Sequence, residues 1–457
     1  MLRKTILLTA MLAGFAVMQP ARADEIADLK AEIAAQKKAA EAQQRRLDAL
    51  EKKLDNVEKS QTAAAPAPVP ATATATAPQA PAPGQPGATG LSYSQGDGLT
   101  YRAASGSVSL YGLIDVSYVH ANHGNAAGDS FNSPRVAWFS GNRWGMTGRR
   151  NLGTTDLDVI FRLEGEYESQ TGNDDTPGTT FNRDAWVGVQ SAAFGKLTLG
   201  RQNAIGRDPI SSAIYGDPYG PAAPSLEEGG YSNNNNFKQL IFYAGSASGT
   251  RLNNGVVWKK GFDNGLFAGA SYQFGGVPGD FSNGSSETVS LAYAGGAFNV
   301  AGFATAAKVA AQTNHAYSIG GNYTVGPVRL NAGLFHYTAQ QAALGDRKDN
   351  AYTVSAKLAP AGSSLDYELG YQNMKATNAA VNGGGNVLNA FANATTAKAT
   401  ATGSRATLYA STIYHFDKIT EVYLAGDYLK LKDGYKVGAT NGFPSQTEIA
   451  LGLRTRF

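Results

Sequence analysis

The chain has 457 residues, with 54 glycines, 22 tyrosines, no cysteine and a formal net charge of +3. The missing thiols exclude disulfide staples, thiol catalysis and zinc–thiolate or iron–sulfur sites, and the near-balanced charge gives no footprint for a nucleic-acid partner. The mean hydropathy is −0.26, and beyond the N-terminus no apolar run reaches the roughly 18 residues that a spanning helix needs.

Residues 1–23 read as a secretory signal peptide: basic "MLRK", apolar "TILLTAMLAGFAVM", then "ARA" before Asp24 as a small-x-small cleavage site. Export without cysteine is compatible with the periplasm and the outer membrane. Residues 24–61 form a helical heptad segment. Ile26, Leu29, Ile33, Gln36, Ala40, Gln43, Leu47, Leu50, Leu54 and Val57 occupy every a and d position of one frame, with charges such as Lys30, Glu32, Glu51 and Lys52 elsewhere. Gln36, Ala40 and Gln43 make a weak middle, so this α-helical coiled coil needs partner chains. Residues 62–104 are dominated at first by Ala, Thr and Pro, which cannot bury a core, and read as an extended linker.

From residue 105 to 457 the pattern is that of strands. In "SVSLYGLIDVSYV", Val108, Leu110, Ile114, Val116 and Tyr118 alternate with Ser107, Ser109, Asp115 and Ser117. Leu365, Tyr367, Leu369 and Tyr371 alternate with Asp366, Glu368 and Gln372. Leu408, Ala410, Tyr414 and Phe416 alternate with Arg405, Thr407, Ser411 and His415. The last strand sets Ile449, Leu451, Leu453, Thr455 and Phe457 against Glu448, Ala450, Gly452, Arg454 and Arg456. Successive side chains on a strand face opposite ways, so one face needs water and the other needs grease. A sandwich would also supply that, but the connections favour a barrel. Short turns near 151–154, 191–194, 261–265, 295–297, 325–327, 359–363 and 417–418 alternate with longer polar loops near 121–134, 169–180, 206–250, 275–286, 307–314, 339–348, 375–403 and 432–446. That rhythm belongs to an up-and-down membrane barrel. About sixteen strands fit, which makes the fold all-β: a 16-stranded antiparallel transmembrane β-barrel. The strand-like "FKQLIFYAG" (237–245) would make the count odd and is assigned to the long 206–250 connection. Phe457 then lies at the membrane interface on the closing strand.

In order along 105–457, "SVSLYGLIDVSY", "NRWGMTGRRNLG", "FNRDAWVGVQSAAFGKLTLGRQ", "RLNNGVVWKKGF", "GLFAGASYQFGGV" and the terminal "LRTRF" resemble the trimeric general porins of Gram-negative outer membranes. The resemblance implies a homotrimer in outer-membrane lipid, a third loop folded inward, and a passive channel for small hydrophilic solutes and ions. It also implies wall arginines facing acids on that loop: Arg143, Arg183, Arg251 and Arg201 on the wall, and Asp217, Glu227 and Glu228 on the loop, although the family's usual loop motif is absent. In "RWGMTGR", Arg143 and Arg149 share a face opposite Trp144 and Met146, which puts both in the lumen, because an arginine at the lipid midplane costs about 2–4 kcal/mol. Arg162 and Glu164 share the face opposite Phe161 and Leu163. Arg183 is read as opposite Trp186, which leaves Asp184 awkwardly on the outer face. The N-terminal extension is more like that of sucrose porins, so a sugar-specific channel is an alternative, and a structural tether to the cell wall, with a possible periplasmic or peptidoglycan contact through the coiled coil, is another. His120 and His123 in "HANH" are too few for a metal site, and with His315, His336 and His415 they lack the nucleophile grouping an enzyme needs. No cofactor is expected.

Overall fold

The computed structural model describes Lys52 and residues 89–94, 98–136, 138–153, 156–207, 251–309, 312–388 and 397–457. The chain separates into two units, Met1–Ala82 and Pro83–Phe457. The signal peptide, the coiled-coil segment apart from Lys52, the Ala/Pro-rich part of the linker, and the third loop beyond Arg207, with its expected inward fold and the 237–245 segment, lie outside the described residues.

Nineteen strands are described: β1 (Gly90–Ser94), β2 (Gly98–Ala103), β3 (Gly106–Ala121), β4 (Phe131–Val136), β5 (Arg143–Asn151), β6 (Asp158–Glu166), β7 (Asp184–Ser191), β8 (Gly195–Asn203), β9 (Arg251–Gly261) and β10 (Leu266–Gln273). They continue as β11 (Ser286–Gly295), β12 (Phe298–Val309), β13 (Gln312–Val325), β14 (Val328–Ala339), β15 (Arg347–Leu358), β16 (Leu365–Ala380), β17 (Thr400–His415), β18 (Thr420–Lys432) and β19 (Ser445–Arg456). Sixteen of them close a ring. β3 pairs with β5, each strand from β5 to β19 pairs with the next, and β19 returns to β3, all antiparallel. Closure pairs every wall strand on both sides, and a wall inside a bilayer has no water to satisfy a free edge.

The alternation places the residues as read. Val108, Leu110, Tyr118, Leu369, Leu408, Leu451 and Leu453 are exposed on the outer face, while Asp115, Ser117, Glu368, Gln372, Arg405 and Thr407 are shielded on the inner one. All seven short turns lie at one end, between β5/β6, β7/β8, β9/β10, β11/β12, β13/β14, β15/β16 and β17/β18. The connection expected over 307–314 shrinks to 310–311, because β12 and β13 pair as far as Val309↔Gln312.

β2 and the C-terminal end of the chain share one lane beside β3. Arg456 pairs with Leu113, Phe457 exchanges backbone hydrogen bonds with Gly112 at 2.9 and 3.1 Å, and the next rungs down belong to β2, Leu99↔Leu110 through Ala103↔Gly106. A side chain at Gly112 would collide with the Phe457 ring, so glycine there lets the last aromatic lie against the wall. The end of the expected linker is therefore sheet: β1 and β2 form a hairpin, with Leu91↔Tyr101 and Tyr93↔Leu99 continuing the outer apolar face. The alternation over "GLSYSQGDGLTYR" is only a few residues per strand, which is why composition alone assigns it to the linker.

The inner face is not polar throughout. Near the loop-bearing end Phe303, Phe335, Tyr337, Met374, Leu429 and Leu431 form a buried cluster with Tyr435. The loops cover it. Val387 and Val437 pack on it, Val387 N–H donates to Lys436 O at 3.0 Å, and Arg347 donates to Leu388 O at 2.7 Å while paired with Asp349.

Candidate functional site

Lumen charges collect where β5, β6 and the approach to β7 meet. The strand register sets Arg143 opposite Glu166 and Glu164 opposite Asp184, so carboxylates and guanidiniums share the inner face. Arg183 lies just before β7 in a bend. Its N–H donates to Glu164 O at 3.1 Å, and its guanidinium Nε meets Glu164 Oε1 at 2.5 Å while Nη1 meets Glu166. The Tyr111 hydroxyl donates to the other Glu164 oxygen at 2.7 Å, and Arg143 and Arg162 are among the charges acting on that carboxylate. Arg143 donates from Nε to Gly141 O at 2.9 Å, and Arg162 lies 3.7 Å from Asp184. The Arg183 and Glu164 side chains are 5 % and 1 % exposed, which makes this a shielded, multidentate pair and not a surface contact.

The reading of β7 needs one correction. Arg162 pairs with Trp186 and Glu164 with Asp184, so Asp184 and Trp186 face inward while Val187 is exposed on the outside. Asp184 is no misfit. Arg183 reaches the lumen because the bend, and not strand register, aims it. Trp186 carries the Lys196 ammonium 4.5 Å above its ring.

Arg201 and Arg251 stand apart from this group, at the rim where loops leave the barrel. Arg201 follows Leu199 in the outward register, across a bulge between Gly200 and Gln202. It bends over to donate to Asn182 O at 2.7 Å and to the Asn253 side chain. Arg251 opens β9 opposite Asn203, and its charge acts on Glu166. Asp217, Glu227 and Glu228 lie outside the described residues. After β8 the described chain continues through the turn Ile205–Arg207: Ile205 is buried with Leu252 and Val257, Gly206 abuts the Phe303 ring, and the turn contacts β10, β11 and β12.

A second charged arc runs across β15 to β19. Lys357 meets Asp366 at 3.3 Å and Glu368 at 2.9 Å. His415 bridges Asp366 at 3.0 Å and Glu421 at 3.1 Å, and Glu421 also pairs with Arg454. Arg454 reaches the Ser140 hydroxyl at 3.0 Å, which brings in the first loop. That loop is held by Asp115, a fully buried carboxylate accepting from Tyr423 O–H at 2.6 Å, Phe139 N–H at 3.1 Å and Ser140 N–H at 2.9 Å. Asp115, Glu166, Glu421 and Arg454 are absent from the sequence-derived site. Their signal was the inward register of strands already recognised, but which inward charges meet depends on barrel closure. The two histidines of "HANH" do not converge: His120 bonds Asn132 at 2.8 Å, and His123 stacks on Phe443 at 4.0 Å.

Comparison with known proteins gives a consistent result. The model of the Gram-negative porin family matches residues 63–434. An outer membrane porin protein of Bordetella pertussis is 29 % identical over 280 residues, 58 % of this chain and 62 % of that protein, so the chain spans under two thirds of this relative. Outer membrane porin protein 32 of Delftia acidovorans is 28 % identical over 275 residues, 59 % of this chain and 74 % of that protein. Among solved structures, an anion-selective porin from Comamonas acidovorans superposes with a TM-score of 0.59 at 22 % identity, covering 77 % of this chain and all of that one. OmpT of Vibrio cholerae reaches 0.53 at 14 % identity over 78 % of this chain and 99 % of its own.

Proposed function

Because the chain belongs to the Gram-negative porin family, we propose that it forms a water-filled channel through which small hydrophilic solutes and ions diffuse passively across the outer membrane. The observation that carries this is the closed sixteen-strand ring whose outer face is apolar and whose inner face holds the charges. Arg143, Arg183 and Arg251 with Arg162 form one side of the constriction, and Asp217, Glu227 and Glu228 of the third loop oppose them. Charges of both signs across a narrow bore orient polar solutes and make selectivity tunable by single residues. Apolar solutes gain nothing from that field and must displace ordered water.

Along β5, β6 and the start of β7 the guanidiniums of Arg143, Arg162 and Arg183 stand against the carboxylates of Glu164, Glu166 and Asp184, and Arg251 at the head of β9 also acts on Glu166. The working unit is a homotrimer in outer-membrane lipid. The heptad segment 24–61 forms a three-stranded coil on the periplasmic side, its weak seam helped by the high effective concentration within a trimer, and acts there as a spacer or a tether to the cell wall.

Reversal potentials under a salt gradient in planar bilayers test the reading. The native protein conducts. Arg143→Gln with Arg183→Gln leaves Glu164 and Glu166 uncompensated and moves the reversal potential toward cations. An unchanged potential removes both arginines from the constriction, and a protein that inserts without conducting ends the channel reading.

A further inference from the structure

We propose that the short-turn mouth of the barrel carries a second ion-selectivity element, a ring of charges across β15–β19 whose net sign is set by one proton held at His415. The element rests on the channel reading above and goes beyond it, because it names a residue that tunes ion flow away from the constriction. His415 is the last residue of β17, at the end where the seven short turns lie. Its ring is wedged between two carboxylates. Nε2 is 3.0 Å from Asp366 Oδ2 on β16, and Nδ1 is 3.1 Å from Glu421 Oε2 on β18. A neutral imidazole has one donor and one acceptor nitrogen, and an ionised carboxylate only accepts. A neutral ring would therefore set a nitrogen lone pair against one of the two oxygens. With a proton on each nitrogen the ring donates both ways, so the geometry is that of an imidazolium clamped by two anions.

The charges around that ring balance without it. On one side Lys357 of β15 meets Asp366 at 3.3 Å and Glu368 at 2.9 Å. On the other Arg454 of β19 pairs with Glu421, and Arg456 lies 4.0 Å from the same carboxylate. Asp417 and Lys418, in the turn that follows His415, are exposed and of opposite sign. Lys357, Arg454 and Arg456 thus stand against Asp366, Glu368 and Glu421, and His415 decides whether the ring is balanced or positive by a single charge. Rings of charged side chains select among ions in a pore, and at ~0.1 M salt such a charge is felt over about 10 Å. The His415 side chain is 33 % exposed, so water and ions reach it. The other four histidines do not face the lumen wall. His120, His315 and His336 lie in the outward register, opposite Ile449, Ala306 and Tyr317, and His123 stacks on Phe443 among the long loops.

Reversal potentials of the full-length protein in planar bilayers, under a potassium chloride gradient at low salt, test the element when read from about pH 5 to about pH 9, a span that covers the charge change of histidines in proteins. Anion permeability relative to cation permeability should fall along a one-proton curve as the pH of the native channel rises. His415→Arg, a permanent cation, should hold the acid-side value throughout, and His415→Gln should hold the alkaline-side value throughout. A native channel that conducts with a flat profile overturns the proposal and leaves the channel standing. So does a step that persists undiminished in both variants, which would place the proton on another group. A pH step seen in the melting temperature of the native protein but not in its reversal potential also overturns it, by reducing His415 to a tie between β16 and β18. A protein that inserts without conducting at any pH takes the proposal down together with the channel reading.

Discussion

Glu164→Ala is expected to destabilise the barrel by about 3–5 kcal/mol, the usual cost of removing one partner from a shielded ion pair. Three guanidiniums lose their common counter-charge. Arg183 keeps Glu166, Tyr111 loses its acceptor, and Arg143 and Arg162 each lose one of the carboxylates whose charge acts on them. Urea midpoints of the reconstituted protein measure the loss. The pairing itself is tested by a cycle with Arg183→Leu: the double variant should be more stable than the sum of the single losses predicts, by up to about 3 kcal/mol. Additive losses would mean that the two side chains are neighbours without being partners. In electrical recordings Glu164→Ala should move selectivity toward anions, opposite in sign to the arginine substitutions.

Asp115→Ala is expected to release the end of the first loop from the wall. The carboxylate holds Phe139 and Ser140 by their backbone N–H groups and Tyr423 by its hydroxyl, and Arg454 reaches the same stretch through Ser140. Each buried donor left without an acceptor costs about 1–3 kcal/mol. The loop can avoid that cost only by detaching into water, while Tyr423 cannot move with it. Amide exchange at Phe139 and Ser140 should accelerate by roughly a hundredfold, equivalent to about 2.7 kcal/mol of lost local protection. Asp115→Asn, which keeps an acceptor oxygen, should show a smaller change. Exchange at native rates in the alanine variant would show that the loop is held by the Phe139–Tyr423 ring contact at 4.6 Å and not by the carboxylate.

The wall was legible because a half-wet, half-oily strand writes its geometry with a period of two. Leu365 to Tyr371 and Ile449 to Phe457 name their faces without any tertiary information, and the spacing of turns gives the strand count. Three kinds of feature were not legible. Where a bend replaces regular register, parity misleads: Arg183 and Asp184 both reach the lumen, although adjacent strand residues cannot. Where loops fold back inside, apolar residues can face inward, as Leu429 and Leu431 do beneath Tyr435. Contacts made only by closure, such as Asp115 with Tyr423 across 308 positions of sequence, leave no local trace. The β1–β2 hairpin was missed for a fourth reason: its strands are too short for alternation to outweigh a glycine-rich composition.

The account stands on inner and outer faces that alternate residue by residue around a closed ring. The chain contains no cysteine, so single cysteines can be placed against an empty background. With cysteines introduced one at a time at Ile449, Leu451, Leu453, Arg454 and Arg456 in the membrane-reconstituted protein, a charged, water-soluble thiol reagent should modify Arg454→Cys and Arg456→Cys, the inward positions whose side chains are not fully covered. Ile449→Cys, Leu451→Cys and Leu453→Cys should stay protected. Modification at every position, or with a period other than two, would contradict a strand that separates water from lipid.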